Sequence, residues 1–234
     1  MPSTPPDVPE LIWLRPEHSG RGPRPAHSRA SIAAAAVAIA DAEGLDAVSM
    51  RRVAAALGAG TMSLYNYVPK KEHLFDLMVD QLAGEYELPD RPGTDWRAEL
   101  TMLAKQLRAI LARHRWAATV VAERPGLGPN GLRYTEYFLG ALAGTTLGGA
   151  AKMEALSQLN GYVCQFSEWQ HKSADSGAKW LADLVRYLTQ VTATGAYPHL
   201  TAALAEQAAP ADLDQVFDRS LQRLLTALVG PATQ

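Results

Sequence analysis

The chain is short of cysteine, of one-sided charge and of long hydrophobic runs, and each shortage excludes something. Cys164 is the single cysteine in 234 residues, so no disulfide can form within the chain, and the usage fits a reducing cytoplasm. The 22 Lys and Arg against 24 Asp and Glu give a net charge of −2, which alone gives no case for nucleic-acid binding. The longest apolar run, Ile32–Ala40, is mostly alanine and too short to span a bilayer. No charged stretch followed by an apolar one opens the sequence, so no secretory signal is expected. The six histidines (His18, His27, His73, His114, His171 and His199) are scattered, with no HExxH and no i,i+4 pair for zinc. A GxSxG elbow, a Walker loop and a dinucleotide fingerprint are also missing, and Cys164 on an apolar helical face reads as an inert thiol rather than a nucleophile. No enzyme, cofactor or metal site is expected.

What is present is helical. Strand-favouring residues are sparse, whereas alanine and leucine abound. Residues 1–27 hold seven of the 15 prolines and read as a flexible arm, in which Leu11, Ile12, Trp13 and Leu14 could dock as a short apolar plug. The basic end of this arm, Arg21 to Pro25, could reach a minor groove. Ser28 is an N-cap candidate for a helix that Gly44 ends, and Ser49 for a second helix reaching Gly58. A short third helix starts near Thr61 or Met62. A fourth follows Pro69, with Leu74, Leu77, Met78 and Leu82 as its stripe. "ELPDRPGTDW" (87–96) marks a junction between domains at 28–88 and 89–234. Helices are expected beyond it near 95–114, 116–122, 130–143, 150–172, 176–194, 199–208 and 211–228, interrupted by the Pro/Gly-rich loop at 123–131.

The stretch from Ser49 to Tyr67 has the spacing of two helices crossing through a tight turn. Ala54 is small enough for close approach, and Gly58 allows the positive φ of a sharp helix end. Val53 and Leu57, then Leu64 and Val68, are expected to point inward, leaving Thr61, Met62, Ser63, Asn66 and the tyrosines outside. Residues 28–86 carry five Lys/Arg against seven Asp/Glu, yet within 49–73 the charges are Arg51, Arg52, Lys70 and Lys71 against Glu72 alone. Screening acts over about 8 Å at physiological salt, so a local excess can bind phosphates although the domain is acidic. A solvated αα-hairpin is the alternative that the spacing leaves open.

"SMRRVAAALGAGTMSLYNYVPKKEHLFDLM", with "AIADAEGLDAVSM" before it, resembles the DNA-binding domain of the TetR family of transcriptional regulators over residues 28–80. "ERPGLGPNGLRYTEYFLGAL", "YPHLTAALAE" and "FDRSLQRLLTALVG" are similar, more weakly, to the ligand-binding domain of the tetracycline-repressor branch. The resemblance implies an all-α homodimeric regulator, a repressor by default, whose operator affinity changes when a small organic molecule enters the C-terminal domain. On this chain it implies that Arg51 meets the DNA edge or a phosphate. Thr61, Met62 and Ser63 would approach bases from the N-terminal end of the recognition helix. Tyr65, Tyr67 and Lys71 would touch phosphates, and Asn66 could pair with an adenine. Tyr67 could instead be partly core.

A two-fold dimer would read an inverted repeat of double-stranded DNA. Its surface is expected on 150–172 and 211–228, through Leu156, Leu159, Val163 and Phe166, and Phe217, Leu221, Leu224 and Leu228. The same spacing also suits packing within one chain. Candidates for the effector pocket are Met102, Leu103, Trp116, Tyr134, Tyr137, Phe138, Gln158, Tyr162 and Trp169, about half of which should line a cavity. Tetracycline-binding relatives hold a magnesium–drug complex through histidines. Here Val120 stands where one such histidine falls, so an uncharged or weakly polar organic ligand without metal is expected.

Overall fold

A computed structural model describes residues 11–17, 27–124, 126–175, 178–206 and 212–230; the basic end of the arm, Arg21 to Pro25, lies outside them. Among the described residues there are eleven α-helices and no strand, and no helix is long and apolar enough to cross a membrane.

The first helix, α1 (Arg29–Glu43), starts in a capping box. The Ser28 side chain accepts from the Ser31 backbone N–H, and the Ser31 hydroxyl accepts from that of Ser28. Its buried face, Ile32, Ala33, Ala36, Val37 and Ala40, is mostly alanine, which lets α4 (Lys71–Ala83) lie close along it. Between them come α2 (Met50–Ala56), capped by the Ser49 hydroxyl, and α3 (Thr61–Tyr67). Gly58 makes the turn between the two at φ +64°, a left-handed conformation that side chains disfavour. Val53, Leu64 and Val68 are wholly buried as their spacing predicts, with Leu57 half-buried.

The second domain begins with α5 (Trp96–Arg113), whose N-terminal amides at Arg97 and Ala98 donate to the Asp95 carboxylate. It continues through α6 (Ala117–Glu123), α7 (Pro129–Ala141) and the 27-residue α8 (Gly149–Asp175). After α9 (Ala178–Ala193) and α10 (Pro198–Glu206), α11 (Leu213–Val229) returns to pack on α5 and α8. One side of α4 packs on α1 and the other on α6 and α7, so a single hydrophobic core runs through both domains.

The stripes expected to form a dimer surface are occupied inside one chain. Leu156, Leu159, Val163, Phe166, Phe217 and Leu221 are all buried, and Leu224 and Leu228 are half-buried against the same core. Aromatic contact explains the pull. Phe217 stacks on Tyr162 at 5.5 Å and meets Phe166 edge-on at 5.1 Å, while the Arg108 guanidinium covers Phe217 at 4.6 Å. In contrast, α9 and α10 pack chiefly on each other and leave Trp180, Leu181, Val185 and Tyr187 on α9, Tyr197 in the connection and Leu200 on α10 exposed.

Candidate nucleic-acid interface and effector cavity

The reading head is built by α2 and α3. With Leu64 and Val68 buried, the 3.6-residue period turns Met62, Ser63, Tyr65 and Asn66 to solvent. Met62 is 78% exposed. Thr61 and Tyr67 are half-buried, Tyr67 against the core, so Tyr67 combines an inward face with an outward one. Arg51 is exposed at the start of α2, and Lys71 is exposed at the start of α4 with its ammonium 5.2 Å from the Phe75 ring. Arg52 is paired with Glu43, which lowers the local positive excess and leaves Arg51 and Lys71 as exposed cations of this unit.

Most of the acidic residues of the first domain are collected elsewhere. Asp41 accepts from the Trp116 indole N–H at 2.7 Å and faces His114 Nδ1 at 2.8 Å. Glu85 faces the other ring nitrogen at 2.9 Å and pairs with Arg113. Asp76 pairs with Arg124. Asp80, buried, accepts from the backbone N–H groups of Asn130 and Gly131 at the start of α7. Four of the seven carboxylates thus bind the second domain. Much of the negative charge of this domain is held at the junction, away from Arg51 and Lys71.

A second tie is the segment Leu11–Glu17. Ile12 is fully buried in the common core, and Trp13 is half-buried against it. Arg29 fixes this segment to α1 and α3. Its guanidinium donates to the carbonyls of Arg15 at 2.9 Å, Pro16 at 3.4 Å and Tyr67 at 3.4 Å, and its backbone N–H donates to the Glu17 carboxylate at 2.7 Å. Within the stretch expected as a plug, Ile12 and Trp13 are thus docked, while Leu11 and Leu14 stay exposed.

Between α4, α5, α6, α7 and α8 lies a cavity of about 420 Å³. Its wall is mainly apolar, with Leu82, Leu107, Ile110, Val121 and Leu156 among its members. Tyr86 and Tyr134, stacked at 4.5 Å, form a flat side, and the Tyr134 hydroxyl donates to Asn160 at 2.7 Å. Burial pushes both phenols well above their ordinary range, so they stay neutral donors at any physiological pH. Among the described residues the only charged members of the lining are Glu123 and Arg124.

The two domains match known families by sequence. Residues 32–78 match the bacterial regulatory proteins of the tetR family, and residues 88–229 match the tetracyclin repressor-like C-terminal domain. The chain belongs to the TetR family. A relative in this family, the HTH-type transcriptional repressor DrrR1 of Streptomyces coeruleorubidus, is 38% identical over 94% of this chain and 83% of its own length. An HTH-type transcriptional regulator of Saccharopolyspora erythraea is 32% identical over 98% of this chain and 96% of its own. Among solved TetR-family structures, that of ActR of Streptomyces coelicolor in complex with actinorhodin superposes with a TM-score of 0.75 at 30% identity, covering 86% of this chain and 96% of ActR. ActR in complex with (S)-DNPA gives 0.74 at the same identity, covering 88% and 98%.

Of the nine pocket candidates, Tyr134 lines the cavity of this TetR-family chain. Leu103 and Phe138 are fully buried core. Met102 is half-buried on the outer side of α5, and Trp116 is held by Asp41 at the junction. Tyr137 donates to Glu99 at 2.6 Å, an acceptor shared with the Gly93 amide of the linker. Tyr162 donates to the Phe217 carbonyl at 2.9 Å, and Gln158 and Trp169 are exposed. Tyr86, Arg124, Thr135, Ser157 and Asn160 form a polar lining that sequence reasoning does not assemble as a set. The one signal toward it is the Pro/Gly loop beside Glu123 and Arg124, of the sort that borders a site.

Proposed function

We propose that this TetR-family chain is a repressor that binds an inverted-repeat operator as a homodimer and lets go when a small organic molecule fills the cavity between α4 and α8. One observation carries the reading: α4 belongs to both sites. Lys71 begins this helix at the reading head, and Val79, Leu82 and Ala83 near its end line the cavity. Anything that swells or reshapes the cavity therefore acts directly on the helix that positions the reading unit. The repressor role follows DrrR1, and the organic effector follows ActR, whose solved complexes hold actinorhodin and (S)-DNPA. Cavity size and apolar lining suit such a ligand. Dimerisation is supported by the apolar residues of α9 and α10 that stay exposed among the described residues.

Selection of bound fragments from random DNA tests the reading, followed by a screen for compounds that release the chain from the selected duplex. An inverted repeat with half-sites a helical turn or more apart is expected. Enrichment of a single unrepeated site, or of nothing, would overturn it.

A further inference from the structure

Arg124 occupies a position that the apolar character of the cavity does not explain. It closes α6, its backbone N–H donating to the Val120 carbonyl at 3.0 Å, and its side chain joins the cavity wall. There it makes one hydrogen bond among the described residues, Nη1 to Asp76 Oδ1 at 2.7 Å. Asp76 is largely buried on α4, five residues after Lys71. A guanidinium has five donors in a planar fork, so most of this group's capacity stands beside a largely apolar cavity without an acceptor among the described residues. Phe75 lies on its other side, 5.7 Å from ring centre to guanidinium carbon. Glu123, the other charged lining residue, is exposed at the rim, where water screens it.

We infer that the effector is an aromatic organic acid, and that its carboxylate takes Arg124 away from Asp76. The inference rests on the reading of this cavity as the effector site, and it replaces the uncharged ligand expected from sequence. An acid entering an apolar cavity must meet a cation or lose its hydration without compensation, and Arg124 is the one cation in the wall among the described residues. Bidentate binding to a carboxylate uses two donors in the geometry the fork favours. Asp76 is then left largely buried without its partner, and a shift of α4 is what hydrates it. The stacked Tyr86 and Tyr134 rings offer the flat face against which the aromatic body lies. Occupancy is thereby converted into movement of the helix that begins with Lys71.

The test compares anthraquinone-2-carboxylate with anthraquinone-2-carboxamide, which share shape and differ in charge. Calorimetry measures their binding to the full chain without DNA, and fluorescence anisotropy measures release of the selected duplex. The acid should bind about tenfold or more tightly than the amide, as charge-assisted pairing requires, and should release DNA at lower concentration. Arg124→Gln should abolish the difference. Asp76→Asn should move the other way, raising affinity for the acid severalfold because the competitor is gone, while weakening the link between occupancy and release. Equal binding of the two probes, binding of neither, or a preference that survives Arg124→Gln would each overturn the inference. Should Arg124→Gln fail to fold, the wild-type comparison and Asp76→Asn still decide. Failure to select any DNA site would instead remove the regulator reading, while the calorimetric comparison would stand.

Discussion

Arg51 and Lys71 stand in solvent at the starts of α2 and α4, before and after α3 along the chain. Among the described residues neither is drawn into an ion pair as Arg52 is with Glu43. Replacing Arg51 and Lys71 by alanine should weaken binding to every duplex alike. The slope of log affinity against log salt should fall by about one for each phosphate that is no longer neutralised. Anisotropy titrations at several salt concentrations read both quantities, and an unchanged slope would remove these residues from the phosphate-binding set. Cys164 makes a contrasting case on the cavity side of α8. Burial pushes its thiol up to about 12, with Glu168 adding to the shift, so at pH 8 almost none is thiolate and almost none can attack. A disulfide reagent should leave the native chain unlabelled at pH 8 and titrate one thiol in guanidinium; labelling at the unfolded rate would contradict the burial. The outward face of α3 was legible in the sequence and the cavity lining was not, for a physical reason. Exposure on a short helix follows from its period once Leu64 and Val68 are fixed inward. A cavity is defined by side chains that stop short, such as Ala83, Ala122, Gly126 and Gly161, whereas large aromatics such as Phe138 are what fill a core.

At the level of elements, capping residues made the helices readable. Ser28, Ser49 and Gly58 set boundaries within a residue or two of those observed, because caps satisfy backbone groups whatever the tertiary packing. The segment Leu11–Glu17 was undecided in the sequence because its fixation depends on Arg29 and on the loop before α7, both distant along the chain. Trp13 lies over Gly128, where a Cβ would stand 2.5 Å from the Trp13 ring and 2.3 Å from the Asp80 carboxylate. Segment, loop and α4 therefore interlock at one point. Ile12→Ala should cost about 2–5 kcal/mol, the range for emptying a fully buried aliphatic site. Gly128→Ala should cost about 1–3 kcal/mol through overpacking. Chemical denaturation measures both. If Ile12→Ala unfolds at the wild-type midpoint, the segment is not part of the cooperative core. The dimer stripes show where periodicity fails: a 3–4 spacing marks a face that is buried without saying against what, and here the chain's own helices take it.

For the molecule as a whole, the uncovered apolar surface lies on the pair α9 and α10. Trp180, Leu181, Val185 and Tyr187 on α9 are each more than half exposed, although their helix has polar and apolar residues well separated. A stable surface helix ordinarily turns such a face to a core, and exposed patches of this kind mark association sites. A second copy is the partner that the proposed two-half-site operator calls for, since linking two DNA-binding units raises duplex affinity by about 10²–10⁴ without any new base contact. Leu181→Glu combined with Val185→Glu should therefore convert a dimer at micromolar concentration into a monomer by sedimentation. Helical circular dichroism should be kept, because these exposed side chains are not part of the chain's own core. Affinity for the full inverted repeat should fall by a similar factor, while binding to a half-site should stay near its wild-type value. That divergence separates loss of pairing from damage to the reading head. A wild-type chain that sediments as a monomer would refute the two-half-site arrangement outright. A doubly charged variant that remains dimeric would place the interface on the outward faces of α8 and α11 instead.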